Sequence, residues 1–203
     1  RKIATPSKQK QIIAMDLKHT FTRNMMAWGE EAQNLLYKKH VMVLGLGGVG
    51  GACVEALVRS GIGKISIVDN DIIVGSNFNR QIIANTNTLN MLKTDATEER
   101  IKAINPTVEV FKYNFFYDQS KNKEIFSQDV DFVIDAIDSA VSKVDVAEHC
   151  IRNKIKIIAS MGTGNRLDPT ALKIVSLMKT TGISCALARK YKRLLTARCN
   201  AKS

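Results

Sequence analysis

The sequence predicts an α/β fold, a doubly wound and mostly parallel sheet with helices on both faces. Two observations predict it. Short apolar runs typical of buried strands alternate along the chain with longer segments of helical spacing, as in successive strand–helix–strand units. A glycine-rich turn also joins the first of these strands to the first helix. Right-handed crossovers then bring the carboxyl ends of the strands to one edge, where such folds bind ligands.

The elements are predicted in the following order. The strands lie at 41–44, 64–69, 108–113, 131–135 and 155–159, with 172–177 as a sixth. The helices between them lie at 48–60, 88–104 and 141–152. Gly61 caps the first helix, and Asn105-Pro106 ends the second because proline disfavours helix at the residue before it. A helical arm at 24–39 precedes the sheet, and a basic amphipathic helix at 183–195 follows it.

The composition is typical of a folded globular domain. Of the 203 residues, 45% are hydrophobic and 24% are charged, which argues against intrinsic disorder. No run of 18 uncharged apolar residues occurs, so no membrane-spanning helix is expected, and the start of the chain lacks the apolar core of a secretory signal. The four cysteines are far apart without a CxxC pair, which argues against a disulfide framework or a four-cysteine zinc site. A reducing, cytoplasmic location is therefore expected.

The net charge of +11 is concentrated at the two ends of the chain. Residues 1–24 carry six Lys or Arg and one Asp, and residues 171–203 carry eight Lys or Arg and no acid, whereas the rest has a net charge of −2. This distribution predicts a basic N-terminal arm (1–24), a central domain (25–179) and a basic C-terminal segment (180–203). Basic ends suit a polyanion such as nucleic acid or an anionic surface, although solvated tails would give the same pattern.

A phosphate-binding turn is predicted where the first strand meets the first helix. Gly45, Gly47 and Gly50 form a GxGxxG pattern, with Gly48 as an additional glycine. Glycines permit a tight turn and close backbone approach, and the helix N-terminus offers free N–H groups to phosphate. Asp69 ends the second strand, where an acid accepts hydrogen bonds from ribose hydroxyls. These residues predict a Rossmann-like nucleotide site, and the alternative is a glycine turn required only for packing.

Further charged residues favour ATP over a dinucleotide. Arg80 and Lys93 follow the second strand, and Asp138 lies just past the fourth, so all three are expected at the carboxyl edge of the sheet. The two cations could neutralise a triphosphate, and a carboxylate such as Asp138 suits Mg²⁺. This set suits nucleotidyl transfer, in which charge stabilisation at phosphorus carries most of the catalysis.

Each of these residues has a simpler alternative role. Arg80 and Lys93 could be surface charges. Asp138 could be the N-cap of the helix that follows it. Asn77 and Asn79, which lie in the loop before Arg80, could serve only to form its turn.

Taken together, these motifs resemble the ubiquitin-activating-enzyme superfamily, whose smaller ThiF- and MoeB-like members activate sulfur-carrier proteins. The motifs are, in order, GLGGVG, D-N-D, S-N-F-N-R-Q, K-T-D-A and I-D-A-I-D-S. The resemblance implies ATP-dependent adenylation of a carboxylate. By motif matching, it implies that Asp69 binds the ribose and that Asp138 holds Mg²⁺. It also implies that Asn77, Arg80 and Lys93 bind the phosphates.

Other stretches resemble one branch of that superfamily, the tRNA threonylcarbamoyladenosine dehydratases. These stretches are HTFTRN at 19–24, WGEEA at 28–32, INP at 104–106 and SMGTGNRLDPT at 160–170. The resemblance covers about 18–179 and implies cyclisation of a modified adenosine beside the tRNA anticodon. Arg23 matches the superfamily's arginine that reaches the partner subunit's ATP site, which implies a homodimer. The catalytic residues implied in this way are Arg23, Arg80, Lys93 and Asp138.

The C-terminal part departs from the pattern of this branch. After Lys179 the family continues with an Asp-Pro-Leu-Ala-like stretch, whereas this chain has GISCALAR at 182–189. Family members also continue with further sheet, so we expect the sequence to be shortened here. A sulfur-relay protein is a further expected partner, and Arg23 could instead be a surface arginine of the arm.

Three other functions share some of these features. An activating enzyme for a ubiquitin-like or sulfur-carrier protein uses the same adenylation residues, although many carry paired CxxC motifs that this sequence lacks. A scaffold that binds RNA through its basic ends, with ATP in a structural role, would release neither AMP nor pyrophosphate. A NAD-linked oxidoreductase fits least, because its pyrophosphate site needs few side-chain charges.

Overall fold

A five-stranded parallel sheet forms the centre of the computed structural model, which describes residues 17–161, 168–176, 193 and 196. The strands are β1 (His40–Leu44), β2 (Lys64–Val68), β3 (Glu109–Tyr113), β4 (Phe132–Asp135) and β5 (Lys156–Ala159). Their order is β3-β2-β1-β4-β5, and every pairing is parallel. The first five predicted strands are therefore confirmed.

Helices lie before the sheet and on both of its faces. They are α1 (Leu17–Thr20), α2 (Thr22–Trp28), α3 (Glu30–Leu36), α4 (Gly48–Arg59), α5 (Lys93–Ile104), α6 (Asn122–Ile125) and α7 (Ala140–Arg152). Short 3-10 helices occur at Gly75–Asn77, Gln119–Lys121 and Pro169–Ala171. Among the residues that the structure describes, no helix is long and apolar enough to cross a membrane.

The two faces of the sheet carry separate cores because successive side chains alternate across a strand. Val43 of β1 belongs to the core that also contains Val54 of α4 and Ile101 of α5. Its neighbour Met42 belongs to the opposite core, together with Val146 of α7. This arrangement confirms the predicted doubly wound α/β fold.

The strand order reverses between β1 and β4, the position at which doubly wound sheets form a ligand-binding crevice. The chain runs from β1 through α4 to β2 on one side and from β4 through α7 to β5 on the other. Because the two connections diverge, the carboxyl ends of β1 and β4 form the edge at which such sheets bind ligands. The glycine turn follows Leu44 of β1, and the Asp138 loop follows Asp135 of β4.

The helical arm predicted over 24–39 contains two helices, α2 and α3, instead of one. Gly29 separates α2 from α3 with a φ of 90°, a conformation that residues with a Cβ rarely adopt. Gln33 then joins the arm to the body, since its buried side chain accepts a hydrogen bond from the Trp28 indole (3.1 Å) and donates one to the Ser60 carbonyl (3.0 Å). Because Ser60 follows α4, the arm docks at the C-terminal end of that helix.

The second helix of the body begins later than predicted. The prediction was 88–104, whereas α5 begins at Lys93. The backbones of Ile72 and Leu92 form an isolated antiparallel bridge just before it. This contact holds Leu92 out of the helical conformation, with a ψ of 137°, and residues 86–90 form turns instead of a helix.

The predicted sixth strand, 172–177, is wrong over 172–176, where the backbone is irregular. An apolar run forms a strand only where a neighbouring strand pairs with it, and here Ile174 is 88% exposed. Position 177, residues 1–16 of the basic arm and most of the predicted C-terminal helix lie outside the described residues.

Candidate nucleotide-binding site

The glycine turn after β1 touches the loop after β4. Gly45 has a φ of 85°, and a Cβ atom there would lie 2.7 Å from the Ala136 carbonyl oxygen. A Cβ atom at Gly50 would overlap the carbonyl oxygen of Gly45. Both positions therefore require glycine for reasons of geometry within the chain.

Gly47 has no such requirement among the described residues. A Cβ atom at Gly47 would meet no other atom of the described residues within 4 Å, apart from the adjoining chain, so these residues leave open space at the N-terminus of α4. The first N–H groups of a helix have no partner within it and carry a partial positive charge. An open helix N-terminus of this kind binds anions such as phosphate. Packing therefore explains Gly45 and Gly50 but does not explain Gly47.

Arg80 lies against the first residue of α4. A Cβ atom at Gly48 would lie 3.2 Å from the Arg80 carbonyl oxygen and 3.7 Å from its Cγ. The side chain is exposed, and its Nη1 atom donates hydrogen bonds of 2.9 Å to the Ser76 carbonyl and to the Asn79 side chain. Arg80 is thus on the surface, as one alternative expected, but beside the glycine turn.

Asn77 shapes the loop that carries Arg80. Its buried side-chain oxygen accepts the Val74 N–H (3.0 Å), and its carbonyl accepts the Arg80 and Gln81 N–H groups (3.2 and 3.0 Å). The turn-forming alternative is therefore correct for the side-chain oxygen of Asn77. Asn79 instead contacts the guanidinium of Arg80.

Asp69 follows β2, and its carboxylate contacts the glycine turn. Its Oδ2 accepts the N–H of Leu46 within the turn (2.7 Å), and its Oδ1 accepts the Asp71 N–H (2.8 Å). The side chain is 8% exposed. These bonds hold both carboxylate oxygens in place next to the start of α4.

Lys93 is the buried cation of the site. It begins α5, its side chain is 7% exposed, and its Nζ lies 2.6 Å from Asp71 Oδ2 and 3.8 Å from Asp69 Oδ1. The surface-charge alternative is therefore wrong for Lys93. Two carboxylates offset the cost of burying its charge, and the pairing with Asp71 was not predicted from the sequence.

Asp138 is exposed in the loop between β4 and α7. Ser139 caps α7, because its side-chain oxygen accepts the Ser142 N–H (3.4 Å), so the N-cap alternative is wrong for Asp138. Within 17–161 and 168–176, no cluster of three or more His, Cys, Asp or Glu side chains could hold a metal ion. A single exposed carboxylate fits Mg²⁺ that takes most of its ligands from phosphates and water.

A buried ion pair at the base of this loop was not predicted. The side chains of Lys143 (α7) and Asp135 (β4) are fully buried, with Nζ 2.9 Å from Oδ1. Burial raises the pKa of Asp135, while the nearby Lys143 acts in the opposite direction. The sequence gives no direct signal for this pair, because lysine in an amphipathic helix is ordinarily exposed.

Arg23 is not brought to the site of its own chain. It is exposed on α2, and its neighbour Asn24 donates a hydrogen bond to the Arg59 carbonyl (3.2 Å), at the C-terminal end of α4. Because α4 has 12 residues, its two ends lie about 17 Å apart at the rise of an α-helix. The glycine turn is at the opposite end, so the structure separates Arg23 from the other predicted site residues.

A doubly wound parallel sheet with an open glycine turn, a carboxylate after β2 and a buried cation beside it defines a nucleotide-binding domain. Comparison with known proteins gives the family. The model of the ThiF family matches residues 21–203, and the chain belongs to the ThiF family.

Several relatives are tRNA threonylcarbamoyladenosine dehydratases. That of Bacillus subtilis (strain 168) is 40% identical over 162 residues, which is 80% of this chain and 64% of the relative. That of Escherichia coli (strain K12) is 38% identical over 168 residues, or 83% and 62% of the two chains. The predicted resemblance to this branch is therefore confirmed. The chain spans less than two thirds of the length of these curated relatives.

A solved structure supports the same relationship. The crystal structure of the E. coli dehydratase TcdA in complex with ATP matches with a TM-score of 0.86 and 35% identity, over 91% of this chain and 75% of that chain. The sheet described above is therefore similar to that of a protein whose crystal structure contains ATP.

Proposed function

We propose that the chain is the adenylating part of a tRNA threonylcarbamoyladenosine dehydratase, which uses ATP to cyclise threonylcarbamoyladenosine in tRNA. The observation that carries the proposal is the meeting of the glycine turn, Asp69 and the buried Lys93 at one edge of the sheet. Similarity to enzymes of that name over 80% and 83% of the chain supports the same reaction.

The ribose binds at Asp69. Each of its oxygens already accepts one backbone N–H, and each has a further lone pair for a ribose hydroxyl. A carboxylate that is already fixed loses little conformational freedom when it binds the sugar.

The triphosphate binds at the N-terminus of α4, where open space beside Gly47 admits it. Arg80 and Lys93 stabilise the charge that develops at phosphorus, and Asn77 supports the loop that carries Arg80. The full set proposed for the nucleotide is Gly45, Gly47, Gly48, Gly50, Asp69, Asn77, Arg80 and Lys93.

Asp138 would hold Mg²⁺ at this edge of the sheet. Its place after β4, on the same edge as the glycine turn, supports this role. When bound there, the ion supplies neutralisation of phosphate charge. Arg80, Lys93 and Arg23 are the remaining catalytic residues of the proposal.

The reaction proceeds in two steps. A carboxylate oxygen of the threonyl group attacks the α-phosphorus of ATP, and pyrophosphate leaves with the electron pair of the broken P–O bond. The carbamoyl group of the same substrate then attacks the acyl carbon and loses a proton, and AMP leaves with the carboxylate oxygen. Because this nucleophile is intramolecular, positioning alone supplies effective molarities of about 10⁵ M or more.

This mechanism needs no cysteine nucleophile, and the two cysteines that the structure describes are unsuited to that role. Burial raises the pKa of Cys53 and raises the pKa of Cys150 to about 12. Both side chains therefore stay in the thiol form, which is the unreactive one.

The proposed assembly is a homodimer in which Arg23 completes the ATP site of the partner subunit. The position of Arg23 at the far end of α4 from its own glycine turn supports this arrangement. The basic ends, 1–24 and 180–203, flank the adenylating domain (25–179) and bind the tRNA backbone. A sulfur-relay protein is a further proposed partner, and the expected location is the cytoplasm, since tRNA occurs there.

Nucleoside mass spectrometry of tRNA incubated with ATP, Mg²⁺ and the protein tests the proposal. We expect the cyclic nucleoside to appear with equal amounts of AMP and pyrophosphate, and we expect Lys93→Ala to form it about 10²-fold more slowly. Pyrophosphate release that requires the C-terminal tail of a carrier protein instead of tRNA would support the carrier-activating alternative. Absence of AMP and pyrophosphate would support the scaffold.

A further inference from the structure

The buried pair of Lys143 and Asp135 connects two strand ends at the edge of the nucleotide crevice. Asp135 is the last residue of β4, and its Oδ1 lies 2.9 Å from Lys143 Nζ. The same ammonium group donates to the carbonyl of Ser160 (2.9 Å), the residue after β5. One cation therefore ties the carboxyl end of β4 to that of β5.

Asp135 extends this anchoring into the loop that carries Asp138. Its Oδ1 also accepts the Ile137 N–H (3.1 Å), one residue before Asp138. The Ala136 carbonyl lies against Gly45, where a Cβ atom would approach it to 2.7 Å. The backbone leading to Asp138 is thus held at two points, one by the ion pair and one by the glycine turn.

The ion pair is a costly way to stabilise the fold. Desolvation of two buried charges offsets much of their attraction, and well-packed apolar replacements are often neutral or stabilising. The second carboxylate oxygen, Asp135 Oδ2, has no hydrogen-bond partner among the described residues, which adds to the cost. A role in positioning the loop that carries Asp138 accounts for the ion pair better than a contribution to the stability of the fold.

We propose that Lys143 and Asp135 are positioning residues of the nucleotide site, which hold the loop so that the Asp138 carboxylate meets a Mg²⁺-bound triphosphate. The inference rests on the proposed function, in which Asp138 binds that metal ion. Neither side chain contacts the nucleotide, and their effect passes through the backbone of Ala136 and Ile137.

The test is the paired replacement Asp135→Asn with Lys143→Met, which removes both charges of the ion pair and leaves neither one unpaired. Calorimetry measures the dissociation constants of MgATP and, in EDTA, of AMP. We expect MgATP binding to weaken about 10-fold or more, the scale of losing a group that orients a metal ligand. AMP binding should change by less than about twofold, the scatter of independent sites. If this pair does not fold, Lys143→Gln with Asp135→Asn replaces it.

A second arm tests whether the effect passes through Asp138. In an Asp138→Asn background, the paired replacement should cause no further loss of MgATP affinity, because the carboxylate that it positions is already absent. An additive loss, or MgATP affinity within about twofold of wild type in the paired variant alone, overturns the inference.

Ser142→Ala is the matched control. It removes a buried hydrogen bond from α7 to the Tyr117 carbonyl (2.9 Å), one residue before Lys143. We expect it to lower the unfolding temperature without changing either dissociation constant. The proposed function fails in a different way. In that case calorimetry of the wild-type protein would show no ATP binding, or ATP binding that does not depend on Mg²⁺.

Discussion

The ammonium group of Lys93 lies 2.6 Å from the carboxylate of Asp71, and the Lys93 N–H donates to the Asp71 carbonyl (2.9 Å). The two residues are therefore joined by both side chain and backbone. The Asp71 side chain is 56% exposed and that of Lys93 is 7% exposed. Asp71 can therefore turn away into solvent, whereas the ammonium group of Lys93 stays buried. A phosphate group that displaced Asp71 would meet a cation already in position.

Removal of either phosphate-binding cation should slow the reaction strongly. We expect Lys93→Ala or Arg80→Ala to cost about 10²-fold in turnover, as for loss of one preorganised contact to the transition state. Release of pyrophosphate measures it. Lys112→Ala is the control, since Lys112 pairs with Asp95 and Glu98 (2.7 and 2.8 Å) and should affect only stability. Wild-type turnover in both site variants would refute the adenylation assignment.

Asp138→Asn should weaken the response of adenylation to Mg²⁺ while leaving the fold intact, because a neutral amide is a weaker ligand for a hard cation. A Mg²⁺ titration of pyrophosphate release measures this response. Ser139→Ala provides the contrast: it removes the α7 cap and should cost about 1 kcal/mol of unfolding free energy, with an unchanged titration. Identical titrations for the two variants would exclude Asp138 as the metal ligand.

Arg23 should act across the dimer. Mixing the Arg23→Ala protein with the Lys93→Ala protein should recover part of the activity, because one site of each mixed dimer then retains both residues. Subunit exchange, followed with a tagged copy, is the necessary control. Exchange without recovery would mean that Arg23 serves its own subunit or has no part in the chemistry.

The sequence was sufficient for the features that local patterns encode, and insufficient for those that depend on partners distant in the chain. Apolar periodicity located the five strands, and motif spacing located the glycine turn and Asp69. By contrast, the start of α5 depends on a bridge between Leu92 and Ile72, twenty residues away. No local pattern indicates that a particular lysine will be buried, so the environment of Lys143 could not be predicted.

Stability should fall below neutral pH through a buried histidine. His40 is 2% exposed and lies 2.8 Å from both the Asp129 carbonyl and the Ser66 hydroxyl. Burial lowers its pKa below the usual 6.5, although the hydrogen bond to Asp129 opposes this. The unfolded chain therefore binds this proton more readily, so stability is complete above about pH 6.5 and decreases as the pH falls toward the folded-state pKa.

Chemical denaturation between about pH 5 and 8 measures this dependence, which for one proton is at most about 1.4 kcal/mol per pH unit. His40→Asn should lower the stability and flatten the slope. Burial also lowers the pKa of His149. The slope that remains in His40→Asn should therefore decrease further when His149→Gln is added. A slope that persists unchanged in His40→Asn would contradict this prediction.

The basic C-terminal segment should contribute to tRNA affinity through the phosphate backbone. Replacing Lys190, Lys192 and Arg193 by Gln should reduce the slope of log K against log salt by about 2. The reason is that the variant neutralises fewer phosphates and so releases fewer counterions when it binds. Adenylation at saturating tRNA should survive. The control is an equal loss of charge on the body of the domain, at the exposed Lys123, Lys154 and Lys156. Equal slopes for the two triple variants would indicate a general effect of net charge.

The polar connection of Gln33 to Trp28 and Ser60 has a genetic consequence if the homodimer forms as proposed. Gln33 bonds to Trp28, the last residue of the helix that carries Arg23, so loss of this bond would displace Arg23 and impair the neighbouring subunit's site, while the nucleotide affinity of its own subunit stayed normal. In cells with two alleles, the impaired site would then be the one that receives Arg23 from the mutant subunit. A Gln33 mutant and a Lys93 mutant would complement each other, whereas two Gln33 mutants would not.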